Sequence, residues 1–434
     1  MGENDLSGND DGTGLEKHRR RKWQMKILLI NHYAGSIEMG MEFRPYYFAR
    51  EWVKMGHKVH IVAADYSHLR TKNPDVSKDF QTEKIDGILY HWVKAGRYEG
   101  NGAKRALTML RFVGKLWICA DKIVKAWKPD VVITSSTYPL DTYAGQRIAR
   151  MCGAKLIHEI HDMWPATLTE LGGMSRFHPF VMAIQAAENS FCRHSDYVVS
   201  LPSNAKEYLI AHGLDPHKLI HIPNGVALQD WECKENLPEE HQGVLQDLKR
   251  NGKFVAGYFG GHALSNVLDS LLDAAKRITN PKIQFVLVGD GVEKKRLIKR
   301  VKQEQIENVQ FLPPVSKKMI PALLTYFDCC VMCAADSSLY RFGMCFNKLY
   351  DSMMAAKPVL CAIHTPDSVI RTYKCGMMVR PQDAEELAQA VEKMSQLPEA
   401  RRKQMGENGK QAVLQHFVYD ILAEEFASLF NSER

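Results

Sequence analysis

Residues 341–363 read RFGMCFNKLYDSMMAAKPVLCAI and join a loop, a helix and a buried strand. The pattern predicts a helix that begins near Asn347, so that the backbone N–H groups of residues 345–348 face an anion. Asp351 lies one turn inside this helix, where its carboxylate can accept hydrogen bonds from both hydroxyls of a ribose. Phosphates at the helix N-terminus and a ribose at Asp351 together indicate a site for a sugar nucleotide.

The same alternation of short apolar strands and helical segments runs through most of the chain. It starts with KILLINHY at 26–33 and restarts with FVAGYFG at 254–260, after a polar stretch that is predicted to contain little helix. This alternation predicts an α/β fold with two Rossmann-like, doubly wound domains, each a parallel sheet covered by helices on both faces. Further strands are expected at 58–66, 130–134, 155–160, 197–201, 219–222, 283–291, 309–312, 329–332, 359–363 and 377–379.

The composition of the segments divides the chain further. Residues 1–24 are polar and charged, which predicts a disordered tail. The turn-rich Pro223–Asn224–Gly225 marks a boundary between a first domain at 25–225 and a second at 226–415. A last helix at 416–434 is expected to cross back onto the first domain. The carboxyl ends of the two sheets would then line a cleft, which is where open parallel sheets bind ligands.

The overall composition is that of a globular protein. Hydrophobic residues make up 45% of the 434 residues and charged residues 25%, and no apolar run approaches the roughly 20 residues that span a bilayer. The polar start does not resemble a secretory signal, so a cytoplasmic location is expected. The ten cysteines are scattered, and the C-x-x-C at Cys330 and Cys333 lies in a strand-like run without a second pair. We expect neither a disulfide framework nor a bound metal.

The clustered positive charge suggests a partner. In the helical pattern from Lys104 to Trp127, Lys104, Arg111, Lys115 and Lys122 share one face, beside apolar residues on other faces. Such a helix would be attracted to an anionic membrane surface, at about 1 kcal/mol per basic residue near the lipid. A solvated face on a core helix remains the alternative. Nucleic acid is not expected as a partner, since no DNA-binding motif or strand platform of aromatic residues is visible.

An ordered set of motifs runs from residue 26 to the C-terminus and includes GHKVHIV at 56–62, HKLIHIPNGV at 217–226, YFGG at 258–261, FVLVGDGVEKKRL at 285–297, VQFLPPVSKKMIPALL at 309–324 and LYRFGMCFNKLYDSMMAAKPVL at 339–360. This set resembles the retaining glycosyltransferases of family four, which have the two-domain GT-B fold. HEIHDMWPATLTELG at 158–172, with the segment around Asp351, is most similar to the bacterial subgroup that builds surface polysaccharide on a lipid carrier.

The resemblance assigns the donor site residue by residue. Asp351 takes the place of the second glutamate of the family's E-x7-E pattern, whereas the first falls at Gly343, so backbone N–H groups or other residues must hold the donor sugar. The family's basic pair after the first strand of the second domain is absent, because GGHALSNVLD at 260–269 holds no Lys or Arg. The residues assigned to donor binding are Gly40, Gly260, Gly261, Arg341, Gly343, Met344, Asn347, Lys348 and Asp351.

The catalytic assignments fall in the first domain. Glu42, in the loop after the first strand, and His161 and Asp162, at the end of the fifth, occupy positions that contact the transferred sugar or the acceptor in the family. A strand-end cap is the alternative for Asp162. His158 and His161 are three apart on an extended segment, so they lie on opposite faces and cannot share a metal. No D-x-D motif occurs, which also argues against a divalent ion on the diphosphate.

The function implied by the resemblance is a retaining, metal-independent transfer without a cofactor. The donor would be a nucleotide sugar, UDP-linked, and the acceptor a saccharide on a polyprenyl diphosphate at the inner face of the cell membrane. No protein nucleophile is required, because the departing phosphate oxygen takes the acceptor proton. Two alternatives stay open at this point: a sugar-nucleotide epimerase with the same fold, and a nucleotide-binding partner subunit without activity, which Gly343 and the absent basic pair would favour.

Overall fold

A computed structural model describes residues 24–40, 43–100, 102–232, 235–366 and 368–432. They form two separate sheets, each covered by helices on both faces, so the predicted α/β fold class is confirmed. The tail predicted at 1–24 lies outside the described residues except for Gln24. No helix within these ranges has the length and apolarity needed to cross a membrane.

The first sheet has eight strands in the order β3-β4-β2-β1-β5-β6-β7-β8, and all neighbouring pairs except β3–β4 are parallel. Successive residues of β1 enter the cores on opposite faces, Ile27 and Leu29 on one and Leu28 and Ile30 on the other, because side chains alternate along a strand. The strands are β1 (Lys26–Ile30), β2 (Lys58–Ala64), β3 (Gln81–Ile85), β4 (Ile88–Val93), β5 (Val131–Thr134), β6 (Lys155–Ile160), β7 (Tyr197–Ser200) and β8 (Leu219–His221).

The hairpin of β3 and β4 was not expected from the sequence. Asp86 and Gly87 form its two-residue turn with φ values of 48° and 84°, and a turn with two positive φ values is typical of an Asp-Gly pair between strands. The hairpin extends the sheet beyond β2. The strand that His161 follows is the sixth of the chain and not the fifth.

The second sheet has six parallel strands in the order β11-β10-β9-β12-β13-β14. The strand order reverses between β9 and β12, as it does between β1 and β5 in the first sheet. Where the order reverses, a crevice that can bind a ligand forms at the carboxyl edge of the sheet. The strands are β9 (Phe254–Phe259), β10 (Ile283–Val288), β11 (Val309–Leu312), β12 (Cys329–Cys333), β13 (Val359–Ala362) and β14 (Gly376–Met378).

The stretch before β9 was predicted to contain little helix, and this is wrong. Residues 239–250 form a helix of twelve residues that buries Leu245 and His241 on one face, and His241 Nε2 lies 2.9 Å from the Pro313 carbonyl oxygen. The segment is mostly polar and only one narrow face of the helix is buried, so its composition gave no helix signal. The helices are α1 (Arg44–Lys54), α2 (Ala103–Ile118), α3 (Ala120–Trp127), α4 (Asp141–Cys152), α5 (Pro179–His194), α6 (Lys206–Ala211), α7 (Gln229–Glu232), α8 (Glu239–Arg250), α9 (Asp269–Arg277), α10 (Lys294–Gln303), α11 (Ile320–Thr325), α12 (Asn347–Met354), α13 (Val369–Thr372), α14 (Ala384–Gln396), α15 (Glu399–His416) and α16 (Tyr419–Ser428).

The last helix, α16, packs on α1 of the first domain. The indole of Trp52 donates to the Ala423 carbonyl oxygen at 3.2 Å, and its ring lies 5.1 Å from that of Phe426. A bridge between Val226 and Val418 joins the start of the second half to the residue before α16. The chain therefore crosses between its two halves twice, at 222–226 and at 417–419, and these two crossings lie side by side.

Candidate functional site

The carboxyl edges of the two sheets meet at a cavity of about 290 Å³. His161 and Asp162, which follow β6, line it from the first domain. Gly343 and Met344, in the loop before α12, line it from the second, together with Ser265 from the loop after β9. Two predicted catalytic residues and two predicted donor residues thus share one cavity.

The start of α12 is the predicted phosphate site. The helix begins at Asn347, and its N-cap residue Phe346 accepts no hydrogen bond with its side chain. The amides of the first turn therefore have no capping side chain, and the positive end of the helix dipole lies beside them. A phosphate group fits this end of the helix.

Lys348 adds a positive charge next to these amides. Its ammonium lies 3.2 Å from Asn266 Oδ1 and 3.4 Å from the Tyr258 hydroxyl, with the centre of the Tyr258 ring at 4.6 Å. Burial lowers the pKa of Lys348 to about 8. Because these partners are neutral and their contacts are long, the ammonium charge is not neutralised by them.

Asp351 is buried and already bonded. Both of its carboxylate oxygens accept hydrogen bonds from Lys317 Nζ, at 2.7 and 2.6 Å. Burial raises the pKa of Asp351, and the positive charge of Lys317 opposes that rise. A carboxylate offers about four lone-pair positions, of which Lys317 occupies two, but Asp351 is only 4% exposed and is not among the residues that line the cavity. The sequence did not single out Lys317, which is 34 residues away.

Gly343 has a structural reason to be glycine. Its φ is +107°, and a Cβ atom there would lie 2.4 Å from Ser203 Oγ in the first domain. Its own N–H donates to the Tyr340 carbonyl oxygen at 3.1 Å, so this particular amide is not available to hold the donor sugar. The carboxylate of the family pattern is replaced here by a close approach of the two domains. Asn204 forms a further contact between the domains here, since its backbone N–H donates to the Phe342 carbonyl oxygen at 2.8 Å.

Arg341 was predicted to lie beside the phosphates, and in the structure its guanidinium is paired with a carboxylate of the first domain. Its two terminal nitrogens donate to the carboxylate of Glu170, at 2.6 and 2.8 Å. Ser338 bonds the same carboxylate. Glu170 belongs to the first domain, so this is a contact across the cleft. Arg341 belongs to the turn at Ser338–Phe342, and its Nη1 also donates to the Ser338 carbonyl oxygen at 2.7 Å.

Gly260 and Gly261 follow β9 and are exposed. Gly260 has a φ of +126°, and open space surrounds both positions where a Cβ would be, so a diphosphate can approach this backbone closely. His262 was not singled out by the sequence. It is fully buried next to these glycines, neither ring nitrogen has a partner among the described residues, and burial lowers its pKa to about 4.

His161 is held by two partners behind it. Its Nε2 lies 2.9 Å from Ser135 Oγ and 3.2 Å from Glu159 Oε2. Asp162 is exposed at the cavity wall. His158 turns to the other side of the strand, where its ring stacks on Phe191 at 3.8 Å, as the alternation of strand side chains requires.

The remaining first-domain predictions lie in the loop after β1. Gly40 has a φ of +93°, and a Cβ there would lie 2.9 Å from Thr71 Oγ1, so a turn that contacts residues 70–71 requires glycine. Glu42 lies outside the described residues. In the described ranges, no group of three or more His, Cys, Asp or Glu side chains is arranged to hold a metal ion.

Two family models match the chain in succession. The model "Glycosyltransferase Family 4" matches residues 39–230, and the model "Glycosyl transferases group 1" matches residues 246–412. They divide the chain between its two sheets and together account for most of it.

The chain is also similar to individual proteins, at sequence identities below 30%. A putative colanic acid biosynthesis glycosyl transferase, WcaI, of Escherichia coli K12 is 27% identical over 208 residues, which are 47% of this chain and 51% of that protein. The chain thus spans about half the length of this curated relative. Solved structures with the same fold include HepE of Anabaena in complex with UDP and glucose (TM-score 0.65, 17% identity, 94% of this chain and 100% of that one) and sucrose-phosphate synthase of Thermosynechococcus elongatus (0.71, 16%, 94% and 98%). The fold is therefore GT-B.

Proposed function

Because the chain belongs to glycosyltransferase family 4, we propose that it transfers a sugar from a nucleotide sugar to an acceptor hydroxyl, with retention of configuration and without a metal ion. The observation that carries this proposal is the shared cavity, where His161 and Asp162 of one domain face Gly343 and Met344 of the other. A cavity between two sheets suits a reaction that joins two different substrates.

The donor binds at the N-terminus of α12. Its diphosphate lies on the first-turn amides and beside Lys348, and Gly260 and Gly261 let it approach the loop after β9. The ribose hydroxyls bond Asp351. We infer that the nucleotide is UDP, and the solved complex of HepE from Anabaena with UDP and glucose supports this inference by fold alone.

The reaction follows from this placement. The acceptor oxygen forms a bond to the anomeric carbon on the face from which the diphosphate leaves, and the bond from that carbon to the phosphate oxygen breaks. The acceptor proton passes to the departing phosphate oxygen. Negative charge grows on the diphosphate during this step, so the α12 amides and the Lys348 ammonium stabilise the transition state more than the bound substrate. His161 and Asp162 orient the sugar and the acceptor.

The acceptor is a saccharide on a polyprenyl diphosphate, used in surface polysaccharide synthesis at the inner face of the cell membrane. The name of the E. coli relative, which refers to colanic acid, supports the polysaccharide. On α2, Leu110 and Ile118 are exposed by 54% and 77%, near the exposed Lys104 and Arg111, which supports an anionic membrane surface. The lysine at position 115 does not add to this basic face, because it donates to both oxygens of Asp79.

Membrane binding is tested with vesicles. We expect the protein to sediment with vesicles that contain anionic phospholipid and to stay in solution with neutral ones. The charge reversals Lys104→Glu and Arg111→Glu should reduce the bound fraction. Equal binding to both kinds of vesicle would remove the electrostatic part of the proposal.

The first test of the function is calorimetric titration with UDP, GDP and ADP in the presence of EDTA. Selective UDP binding is expected, followed by transfer from UDP sugars to lipid-linked saccharide. Binding that requires a divalent ion would overturn metal independence. Turnover of a UDP sugar without an acceptor would indicate the epimerase, and nucleotide binding without any turnover would indicate the inactive subunit. No binding of any nucleotide, with or without a divalent ion, would overturn the proposed function.

A further inference from the structure

A buried ion pair lies behind the cavity. Arg44 is the first residue of α1, and Glu159 lies within β6, and their side chains are exposed by only 4% and 1%. Arg44 Nε donates to Glu159 Oε1 at 3.0 Å. A buried pair of this kind persists only when its remaining hydrogen-bonding groups are also satisfied.

The rest of the Arg44 guanidinium is satisfied by the chain crossing between the domains. Nη2 donates to the Ile222 carbonyl oxygen at 2.8 Å, and Nη1 donates to the Pro223 carbonyl oxygen at 2.6 Å and to Asn224 Oδ1 at 3.3 Å. Phe48 covers the guanidinium at 4.6 Å. Arg44 therefore fixes the position of Glu159 relative to the crossing.

The second oxygen of Glu159 faces His161. Glu159 Oε2 accepts from Ser135 Oγ at 2.6 Å and lies 3.2 Å from His161 Nε2. Burial alone would raise the pKa of Glu159, but the charge of Arg44 and the bonds from His161 and Ser135 lower it to about 2. An ionised carboxylate only accepts hydrogen bonds, so the proton of a neutral His161 ring belongs on Nε2.

The polar chain continues into the donor loop. Asn224 donates its backbone N–H to Cys345 Sγ at 3.0 Å and its side-chain amide to the Cys345 carbonyl oxygen at 2.8 Å. Cys345 lines the same cavity, two residues before α12. A continuous set of contacts thus runs from His161 through Glu159, Arg44 and Asn224 to the loop that precedes the phosphate site.

We propose that Glu159 and Arg44 are positioning residues for the transfer reaction: Glu159 sets the orientation and tautomer of His161, and Arg44 ties Glu159 to the crossing that carries the donor loop. Neither residue touches the substrates in this arrangement. The position of His161 is then set by the same contacts that set the position of Cys345. The inference rests on the proposed function for its catalytic meaning, but its geometry can be tested without activity.

The structural test is NMR of the full-length protein with ¹⁵N-labelled histidine. The His161 signals are assigned by their loss in His161→Asn. We expect the neutral ring to carry its proton on Nε2. In Glu159→Gln the carboxamide oxygen stays with Arg44, so its NH₂ group faces Nε2, and the proton should move to Nδ1. A wild-type ring protonated on Nδ1, or a tautomer unchanged in Glu159→Gln, would overturn the proposal.

The kinetic test compares two arginines of the same helix. Arg44→Lys keeps the charge but lacks the planar fork that reaches Glu159 and the crossing together. We expect kcat to fall at least about tenfold, with the donor KM changed less than about threefold. Arg50→Lys is the matched control, because Arg50 is also buried in α1 but pairs with Glu51 and Asp230 instead of Glu159. It should change kcat less than about twofold.

The outcomes separate the two proposals. Equal losses in Arg44→Lys and Arg50→Lys would show a general effect on α1 and overturn the role of Arg44. Full activity in Glu159→Gln would overturn the role of Glu159. If the wild-type protein transfers no sugar, the proposed function fails, whereas the NMR experiment still decides whether Glu159 sets the tautomer of His161.

Discussion

The two sides of the cleft differ in how firmly their polar groups are bonded. On the first-domain side, His161 is held by Ser135 and Glu159 at ordinary hydrogen-bond distances. On the second-domain side, Asp351 is paired with Lys317, but the N-cap of α12 provides no side-chain hydrogen bond. Among the described residues, the hydrogen-bond partners of Lys348 are neutral and lie at 3.2 and 3.4 Å. One side is preorganised, and the other keeps its positive charge for a ligand.

This difference predicts that substitutions on the two sides of the cleft affect different kinetic quantities. A substitution on the preorganised side should reduce turnover and leave nucleotide binding nearly intact. A substitution on the ligand-binding side should reduce nucleotide affinity first. Kinetics and calorimetry on the same variants separate these two effects, because calorimetry with UDP needs no acceptor.

The largest effect is expected for His161→Ala. Removal of a group that orients the transferred sugar and the acceptor should lower kcat by about 100-fold or more. UDP affinity should stay within about twofold, because no donor phosphate contact is lost. Steady-state kinetics and calorimetry measure the two quantities. Full activity in this variant would return His161 to a structural role and place the catalytic groups elsewhere.

Lys348→Met should produce the next largest effect, on binding. Loss of a charged hydrogen bond to the diphosphate should cost about 3 kcal/mol, the top of the usual range. The lysine binds phosphate in its protonated form, which exists below its pKa of about 8. Wild-type affinity for UDP should therefore fall as the pH rises through about 8, whereas the variant should lack this decline. Parallel pH profiles for the two proteins would contradict the assignment.

Part of the predicted donor site could be read from local sequence patterns. The start of α12 and the charge beside it follow from a local pattern, since a helix N-terminus, Lys348 and Asp351 lie within a few residues of one another. The alternation of strands and helices predicted the two domains for the same reason. The Asp-Gly turn of the β3–β4 hairpin was an equally local signal that the prediction passed over.

The contacts that hold these residues are not local. Lys317 and Asp351 are 34 residues apart, and Arg341 and Glu170 are 171 apart. No periodicity in either segment indicates such pairs, because the first depends on the packing within the second domain and the second on how the two domains meet. The same reason explains Gly343, whose neighbour Ser203 lies in the other domain. Sequence patterns therefore predicted the site residues but not the partners that hold them.

Asp351→Ala should weaken UDP binding by about 1.5 to 3 kcal/mol, the range for hydrogen bonds to a charged group. The substitution also leaves Lys317 without its partner, so the melting temperature must be measured with the affinity. Lys317→Met is the matched variant, because it removes the other half of the pair and keeps the carboxylate. It should lower stability, since it leaves a buried charge unpaired, but should weaken UDP binding less. Unchanged affinity in Asp351→Ala would discard the ribose assignment.

The smallest effect is expected for Arg341→Ala, which removes a contact between the two sides of the cleft. The Arg341 and Glu170 side chains are exposed by 45% and 28%, and an ion pair in contact with solvent is worth about 0 to 1 kcal/mol. UDP affinity should therefore change less than about fivefold. Any loss of thermal stability should shrink at high salt, because salt screens exposed charges.

A larger loss of UDP affinity in Arg341→Ala would assign Arg341 to the ligand-binding side of the cleft. If affinity for UDP fell by more than about 1.5 kcal/mol, Arg341 would have to leave Glu170 and reach the phosphates when a nucleotide binds. Glu170→Gln distinguishes the two cases, because it weakens the ion pair without removing the guanidinium. If Arg341 serves the phosphates, Glu170→Gln should bind UDP more tightly than the wild type, since less energy is needed to release the arginine. If Arg341 serves only the contact between domains, both variants should bind UDP alike.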